Sequence, residues 1–298
     1  MESPELTVVV PSVNGLGDLV GCLEAADRLR QSVRVEILVV DRLGGAVAET
    51  VKRRFPHVTL LSVPAATTIP QMRDLAFRQA RGDAVAVIED HVIVPPDWGT
   101  RLLGALREGG DVVGGPIENA ARDRLLDWAT FLCEYSACLP PLPAGPAEWL
   151  PGNNVVYRRA LLEKYRAVTA EGGWENRLHD AMKADGIPLL CRPDIVVGHK
   201  KHFGFAEYLS QRYLYARSYA GARVARQGGA KRAGYGLAAF LLPPLLLYRT
   251  LQRLIAKRVA PGLVLRTLPL IGVFLLAWGW GEVVGYWFGA GGSLAKVR

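Results

Sequence analysis

The stretch Asp83-Ala84-Val85-Ala86-Val87-Ile88-Glu89-Asp90-His91 decides the fold. Apolar residues run without interruption to Ile88, as in a strand buried in a sheet covered on both faces. Two carboxylates and an imidazole then arrive at once. Hard oxygen donors beside an imidazole suit Mg2+ or Mn2+. The carboxyl end of a strand is also where open α/β sheets place their ligands. The same three residues fit a solvated polar turn, so the rest of the chain has to decide.

Upstream, Leu6 to Val10 reads as a first strand closed by Pro11, and a helix from Asp18 to Arg30 follows with Asp18 as its cap. Val35 to Val40 is a second strand ending at Asp41. Val47 to Phe55 reads as helix, Val58 to Val63 as strand and Ile69 to Ala80 as helix. Strand and helix alternate with short connections over the first ninety residues, which is the pattern of a parallel sheet covered by helices.

Downstream, a helix follows Pro95-Pro96-Asp97-Trp98, Val112 to Pro116 is a short strand, and Arg122 to Cys138 is helical. Leu139-Pro140-Pro141-Leu142-Pro143-Ala144-Gly145-Pro146 must be a loop. Pro151-Gly152-Asn153-Asn154 leads into the strand Val155 to Tyr157 and a helix from Arg159. Another helix begins near Trp174, and Leu189 to Val197 is a last strand region, with His199 after it.

The chain has 298 residues, half of them hydrophobic, enough for one large domain with an appendage. Cys22, Cys133, Cys138 and Cys191 show neither zinc spacing nor a paired framework, which fits a reduced, cytosol-facing compartment. The acidic start Met1-Glu2-Ser3-Pro4-Glu5 is not that of a signal peptide. The net charge of +8 is unevenly placed: Lys200 to Arg258 holds twelve Lys or Arg and a single acid, Glu207. Such a stretch suits nucleic acid or an anionic membrane. The apolar segments Leu237 to Tyr248 and Thr267 to Phe288 decide for the membrane and against nucleic acid.

The order of Val8-Val9-Val10-Pro11, Val39-Val40-Asp41, Arg73, Ile88-Glu89-Asp90-His91, Gly114-Gly115-Pro116, Pro151-Gly152-Asn153-Asn154 and Trp174-Glu175-Asn176 resembles the family 2 nucleotide-sugar glycosyltransferases of GT-A fold, over residues 6 to 205. The resemblance implies a mixed, mainly parallel α/β sheet flanked by helices. It implies a catalytic domain over 1–205, to which charge and hydropathy add a basic interfacial helix and linker over 206–233 and membrane-associated helices over 234–298.

The resemblance also implies roles. Pro11 and the loop behind it, Val13 included, line the nucleotide pocket. Asp41 hydrogen-bonds the base or ribose, and Arg73 faces the donor. Glu89 and Asp90 stand on the donor side, as do Gly152 and Asn153. The family's Asp-x-Asp metal motif is here Glu89-Asp90-His91, so two usual aspartates are replaced. His is a poorer partner for Mg2+ than for Mn2+. Asp90 serves as the ligand if the turn is shifted by one residue, and His199 is a further metal or diphosphate ligand. Glu175 is the general base of an inverting transfer, with Asn176 where the family carries a second acid. Asn154, Trp174, Lys200 and Lys201 are expected at the acceptor or the diphosphate. Gln211-Arg212-Tyr213 lacks the spacing of the processive synthases.

Gln211 to Arg226 reads as a helix with arginines and tyrosines suited to a headgroup surface. Leu237 to Tyr248, with Pro243-Pro244, is short for a crossing, whereas Thr267 to Phe288 is long enough. Glu282 within it calls for a partner. Arg253, Lys257, Arg258 and Arg266 lie between the two segments. Two crossings would set that basic loop outside, against the positive-inside tendency. A first segment that does not fully cross, followed by a membrane helix, avoids this, and so does a hairpin that inserts without crossing.

The expected activity is transfer of a sugar from a nucleotide-diphosphate donor, a UDP-sugar by preference, with a divalent cation, Mn2+ or Mg2+. The acceptor is a lipid or lipid-linked glycan at the cell membrane, in cell-envelope glycan synthesis, with the catalytic domain facing the cytoplasm. A catalytically degenerate scaffold and a transferase with a soluble acceptor remain alternatives. A nucleotidyltransferase is disfavoured because no Gly-rich loop with Arg or Lys follows the first strand.

Overall fold

The computed structural model describes residues 3–298; Met1 and Glu2, part of the acidic start, lie outside the described residues. The chain forms two units, one of residues up to 120 with 140–200, the other of 121–139 with 201–298. The stretch to residue 205 is therefore shared between them.

The first unit opens with β1 (Leu6–Ser12), buried along its whole length, and α1 (Leu16–Asp27). Then come β2 (Val35–Asp41), α2 (Gly45–Arg54), β3 (Thr59–Ser62), α3 (Ile69–Gln79) and β4 (Ala84–Val87). Apolar runs, Val8–Val10 in β1, Ile37–Val40 in β2 and all of β4, form these strands because a parallel strand covered on both faces has no solvent side. Full burial of side chains such as Val8 and Leu38 contributes about 1.5–3 kcal/mol each. α3 begins at a reciprocal capping box between Thr68 and Gln71, with Pro70 in the first turn. The expected cap at Asp18 is displaced. α1 starts at Leu16 after Gly15, and Asp18 lies inside the first turn, where its charge meets the positive helix end.

Next are β5 (Val92–Ile93), α4 (Trp98–Arg107), β6 (Val112–Gly114) and β7 (Ile117–Asn119). The helix α5 (Leu125–Tyr135) belongs to the second unit. The first unit resumes with β8 (Gly145–Ala147), β9 (Val155–Arg158), α6 (Arg159–Lys164) and α7 (Arg166–Ala170). It ends with α8 (Glu175–Ala184), β10 (Leu189–Cys191) and β11 (Val197–His199).

Eight strands form one sheet in the order β3-β2-β1-β4-β9-β6-β10-β8. The first four are parallel neighbours, β9 runs antiparallel between β4 and β6, and β10 is parallel to β6. The proline-rich segment read as loop ends in β8, an antiparallel edge strand. Pro146 is tolerated there because the outer side of an edge needs no N–H.

Residues 189–197, read as one strand region, are two strands in two sheets. β10 stays in the large sheet, while β11 lies between β5 and β7 in a sheet of three. The turn between them is pinned. Arg192 N donates to Gly114 O at 2.8 Å, and Asn154 Nδ2 donates to Ile195 O at 2.8 Å.

Two registers position the site. β11 pairs antiparallel with β5, setting His199 opposite Val92 and so beside His91. β9 pairs antiparallel with β4, setting Val155 opposite Val87 and so Asn153 beside Glu89.

The second unit comprises α5 and then α9 (Phe205–Arg223), α10 (Gly229–Ala238), α11 (Leu242–Ala256) and α12 (Pro261–Phe288). α9 begins earlier than the Gln211 expected. Leu237 to Tyr248 covers the end of α10, a 3-10 turn at Ala239–Leu241 and the start of α11. Pro243 and Pro244 stand in the first turn of α11, where a missing N–H costs no helical bond. Among the described residues α12 is the one helix long and apolar enough to cross a membrane. Glu282 is paired: Trp278 Nε1 donates to its Oε1 at 3.0 Å, and the Arg223 guanidinium lies 3.5 Å from its Oε2.

Candidate active site

The turn after β4 is built by the sheet. Ile88 N still donates to Val9 O at 3.1 Å, and Val92 N closes the turn on Glu89 O at 3.0 Å. Between them Glu89, Asp90 and His91 leave the strand in different directions. His91 Nε2 lies 3.3 Å from Glu89 Oε2 and 2.8 Å from His199 Nε2, with the two rings edge to face. One ligand-type atom from each of Glu89, His91 and His199 falls within 4.8 Å of the others. Asn153 Nδ2 donates to Glu89 Oε2 at 2.9 Å and sets its direction.

Asp90 does something else. It is fully buried, and its Oδ2 accepts from the N–H groups of Val13 (2.7 Å) and Asn14 (2.8 Å). Its Oδ1 accepts from Asn14 Nδ2 at 2.7 Å and faces His91 Nδ1 at 3.1 Å. Asp90 thus clamps the loop after β1 and fixes the ring of His91, with Nε2 turned toward Glu89 and His199. A carboxylate behind an imidazole is a standard outer shell for a metal-binding histidine.

Burial pushes the Glu89 carboxyl up, but the hydrogen bond from His91 and the charges of His91, His199 and Arg73 outweigh it and hold it down at about 2. Asp90 is likewise lowered, against burial, by His91, Asn14 and Val13. Burial pushes His91 down, and its bonds to Asp90 and Glu89 bring it up to about 9. The cluster therefore favours positive charge at its centre. One carboxylate and two imidazoles fit a divalent ion with affinity for nitrogen, Mn2+ better than Mg2+.

Glu175 opens α8, where the positive end of the helix favours a carboxylate. Arg73, on α3, is buried and donates from Nη1 to Glu175 Oε2 at 2.8 Å. Gly152 makes room for this pair, since a Cβ there would lie 2.5 Å from Glu175 Cδ. Arg73, Gly152, Trp174 and Glu175 line a narrow recess of about 30 Å3. Tyr157 and His179 form a buried 2.7 Å hydrogen bond in the same region. Burial holds the His179 imidazole down at about 4.

The remaining expected residues are placed as follows. Pro11 lies in β1 opposite Val40, and Val13 is held by Asp90. Asp41 is buried and accepts from Ser12 Oγ (2.8 Å), Leu43 N (3.1 Å) and Gly44 N (2.8 Å). Those bonds leave a carboxylate room for one more donor. Asn154, expected at the acceptor or the diphosphate, is instead fully buried, with its amide used inside the fold by Trp98, Pro116 and Ile195. Lys200 is exposed, and its N–H donates to His91 O at 2.9 Å. Lys201 belongs to the second unit, with its ammonium over the Phe203 ring. Asn14 and the Tyr157–His179 pair were missed in the sequence. For Asn14 a signal existed, because it is the one polar side chain between the first strand and the first helix.

A family model described as glycosyl transferase family 2 matches residues 7–165, more than half of the chain. That span contains the 89–91 turn and Gly152-Asn153 but neither Glu175 nor His199. Among solved structures the chain is similar to the mannosyltransferase PcManGT from Pyrobaculum calidifontis in complex with GDP-Man and Mn2+. The TM-score is 0.55 at 19% identity, over 95% of this chain and 88% of that one. A likeness to S. aureus TarS 1-349 has a TM-score of 0.48 at 14% identity, over 87% of this chain and 74% of that one. No curated protein gives a significant match.

Proposed function

The chain belongs to glycosyl transferase family 2 and is a glycosyltransferase; from that premise we propose that it is a membrane-associated, inverting enzyme. It moves a sugar from a nucleoside-diphosphate donor to a lipid or lipid-linked glycan. A UDP-sugar is the first donor to test, and the GDP-Man of the Pyrobaculum enzyme makes GDP-mannose the second. The chain works at the cell membrane, with the catalytic unit facing the cytoplasm.

Glu89, His91 and His199 would hold a divalent cation, Mn2+ in preference to Mg2+, which supplies charge neutralisation to the leaving diphosphate. Every other task falls to the chain itself. Pro11, Val13 and Asp41 receive the nucleoside, with Asp41 accepting one further hydrogen bond from the base or ribose. Lys200 contacts the diphosphate. Arg73 fixes one oxygen of Glu175 and leaves the other to take the proton of the acceptor hydroxyl. The acceptor oxygen bonds to the anomeric carbon while the bond from that carbon to the diphosphate breaks. The leaving nucleoside diphosphate keeps the electron pair. Attack opposite the leaving group inverts the centre. Trp174 and the recess beside Glu175 receive the sugar or the acceptor.

The observation that carries this reading is the adjacency, across Gly152-Asn153, of a cation-type donor set and a carboxylate held by an arginine. The test supplies the full-length protein with labelled UDP- or GDP-sugars, Mn2+ and extracted membrane lipids. Label is expected in the organic phase with inverted anomeric configuration. Label confined to water-soluble glycans would replace the lipid acceptor with a soluble one, and retained configuration would remove the mechanism.

A further inference from the structure

We propose that α10, α11 and α12 form a docking face that lies in the plane of an anionic bilayer without crossing it. This rests on the membrane-associated reading above and specifies how the attachment is made.

The exposure of α12 is the reverse of a helix in water. Leu265, Val273, Leu276, Trp280 and Trp287 fall within an arc of about 80° at roughly 100° per residue. Leu276 is 62% exposed and Trp280 56%. The charged side chain of this half of the helix, Glu282, points the other way and is paired with Trp278 and Arg223. Leu237 on α10, Leu241 on the 3-10 turn, and Tyr248 and Ile255 on α11 add further exposed apolar side chains. Exposed apolar side chains at this density, joined where the Phe240 and Trp287 rings meet at 6.2 Å, mark an interaction site.

α12 also cannot leave its neighbours. It lies along α9 in the same direction from Phe274, whose ring meets Phe205 at 5.6 Å, to Ala290, which sits against Gly221. Gly281 and Gly285 let the two backbones touch, at Tyr213 and Arg217. Yet α9 carries Arg212, Arg217 and Arg223, and Arg217 Nε donates to Gly289 O at 3.1 Å. At the other end, Lys257 Nζ donates to Leu139 O just beyond α5. A crossing α12 would draw the guanidinium groups of α9 into hydrocarbon, where they are strongly disfavoured. Lying flat keeps α9 in water and α12 at the acyl boundary.

Charge selects the occupant. Arg226, Lys231, Arg249, Arg253, Arg258 and Arg266 are all exposed on this unit. After Lys200 the chain has only two acids, Glu207 and Glu282. Apolar side chains rimmed by basic ones fit an anionic lipid surface rather than a second copy of an equally basic face. The flat arrangement also removes the conflict of a basic loop outside the membrane.

The test uses the full chain with a cysteine at either end of α12, Ala260→Cys or Gly292→Cys, both at exposed positions, since the four native cysteines are buried. Membrane-impermeant maleimide is applied to intact cells and to inverted vesicles. Purified protein is floated with phosphatidylglycerol or phosphatidylcholine vesicles. Both cysteines should react only in inverted vesicles, and flotation should be at least tenfold greater with phosphatidylglycerol. Reaction of one cysteine from outside and the other from inside would overturn the flat arrangement while leaving membrane attachment intact. Failure to float with either lipid would remove attachment itself, and sugar transfer in detergent would then decide separately whether the enzyme reading stands.

Discussion

The Nε2 atoms of His91 and His199 lie 2.8 Å apart across a sequence separation of 108 residues. Either one ring donates to the other, or both lone pairs turn toward a shared cation. The Glu89 carboxylate at 3.3 Å and the carboxylate of Asp90 behind His91 favour the cation. Replacing His199 with Ala should weaken Mn2+-dependent binding of the nucleoside diphosphate at least tenfold, with little change in binding without metal. Calorimetric titration measures both. Mn2+ should outperform Mg2+ in the wild type, and equal affinity would argue against the two imidazoles as ligands.

Asp90 is predicted to act through its neighbours. Asp90→Asn keeps the size but replaces one oxygen with an NH2, so either the N–H groups of Val13 and Asn14, or Asn14 Nδ2 and His91 Nδ1, meet a donor in place of an acceptor. The variant should lose about 10- to 100-fold in Mn2+ affinity, the usual cost of an altered outer shell. Donor binding measured without metal should weaken as well, because the 13–14 loop is released. Loss of metal affinity alone would limit Asp90 to orienting His91.

Gly152 tests the packing around the base. A Cβ at that position meets Glu175 Cδ at 2.5 Å, with no backbone strain to confuse the result. Gly152→Ala should lower kcat by about 10- to 100-fold, as displacement of a catalytic group by an ångström does, while donor affinity stays within a few-fold. Unchanged kcat would mean that Glu175 sits elsewhere during turnover.

His179 makes acid stability predictable. The unfolded chain takes up its proton near 6.5, whereas the folded site resists protonation down to about 4. Between those values the unfolded state holds more protons, so stability rises with pH and falls on acidification. The contribution is about 3 kcal/mol over that window. His179→Gln keeps a partner for Tyr157 without titrating there. Urea unfolding at pH 7 and pH 4.5 should show a smaller acid loss in the variant than in the wild type, and equal losses would contradict this.

Much of this was legible in the chain. Parallel strands covered on both faces leave apolar runs, so β1, β2 and β4 announced themselves, and the Glu89-Asp90-His91 turn stood out because its polarity begins abruptly. The division of labour inside that turn was not legible. Whether Asp90 or His91 turns toward Glu89 and His199 depends on a one-residue rotation, and the 13–14 loop holds Asp90 away from them through its N–H groups. The split of residues 189–197 into strands of two sheets was hidden as well. The turn that separates them is held by the buried amide of Asn154, a contact distant in sequence. The contact of Arg73 with Glu175 was hidden too, because only the fold brings the two together across 102 residues. The burial of Asn154 was misread for a simple reason: Gly152-Asn153-Asn154 looks the same whether an amide points into a cleft or into the core.

The most direct measurement compares single-turnover sugar transfer by the wild type and Glu175→Gln, with Mn2+-dependent donor binding measured alongside. The account predicts that binding is kept within a few-fold while the transfer rate falls about 10^2- to 10^4-fold, the usual contribution of a general base. A variant that transfers sugar at the wild-type rate would contradict it.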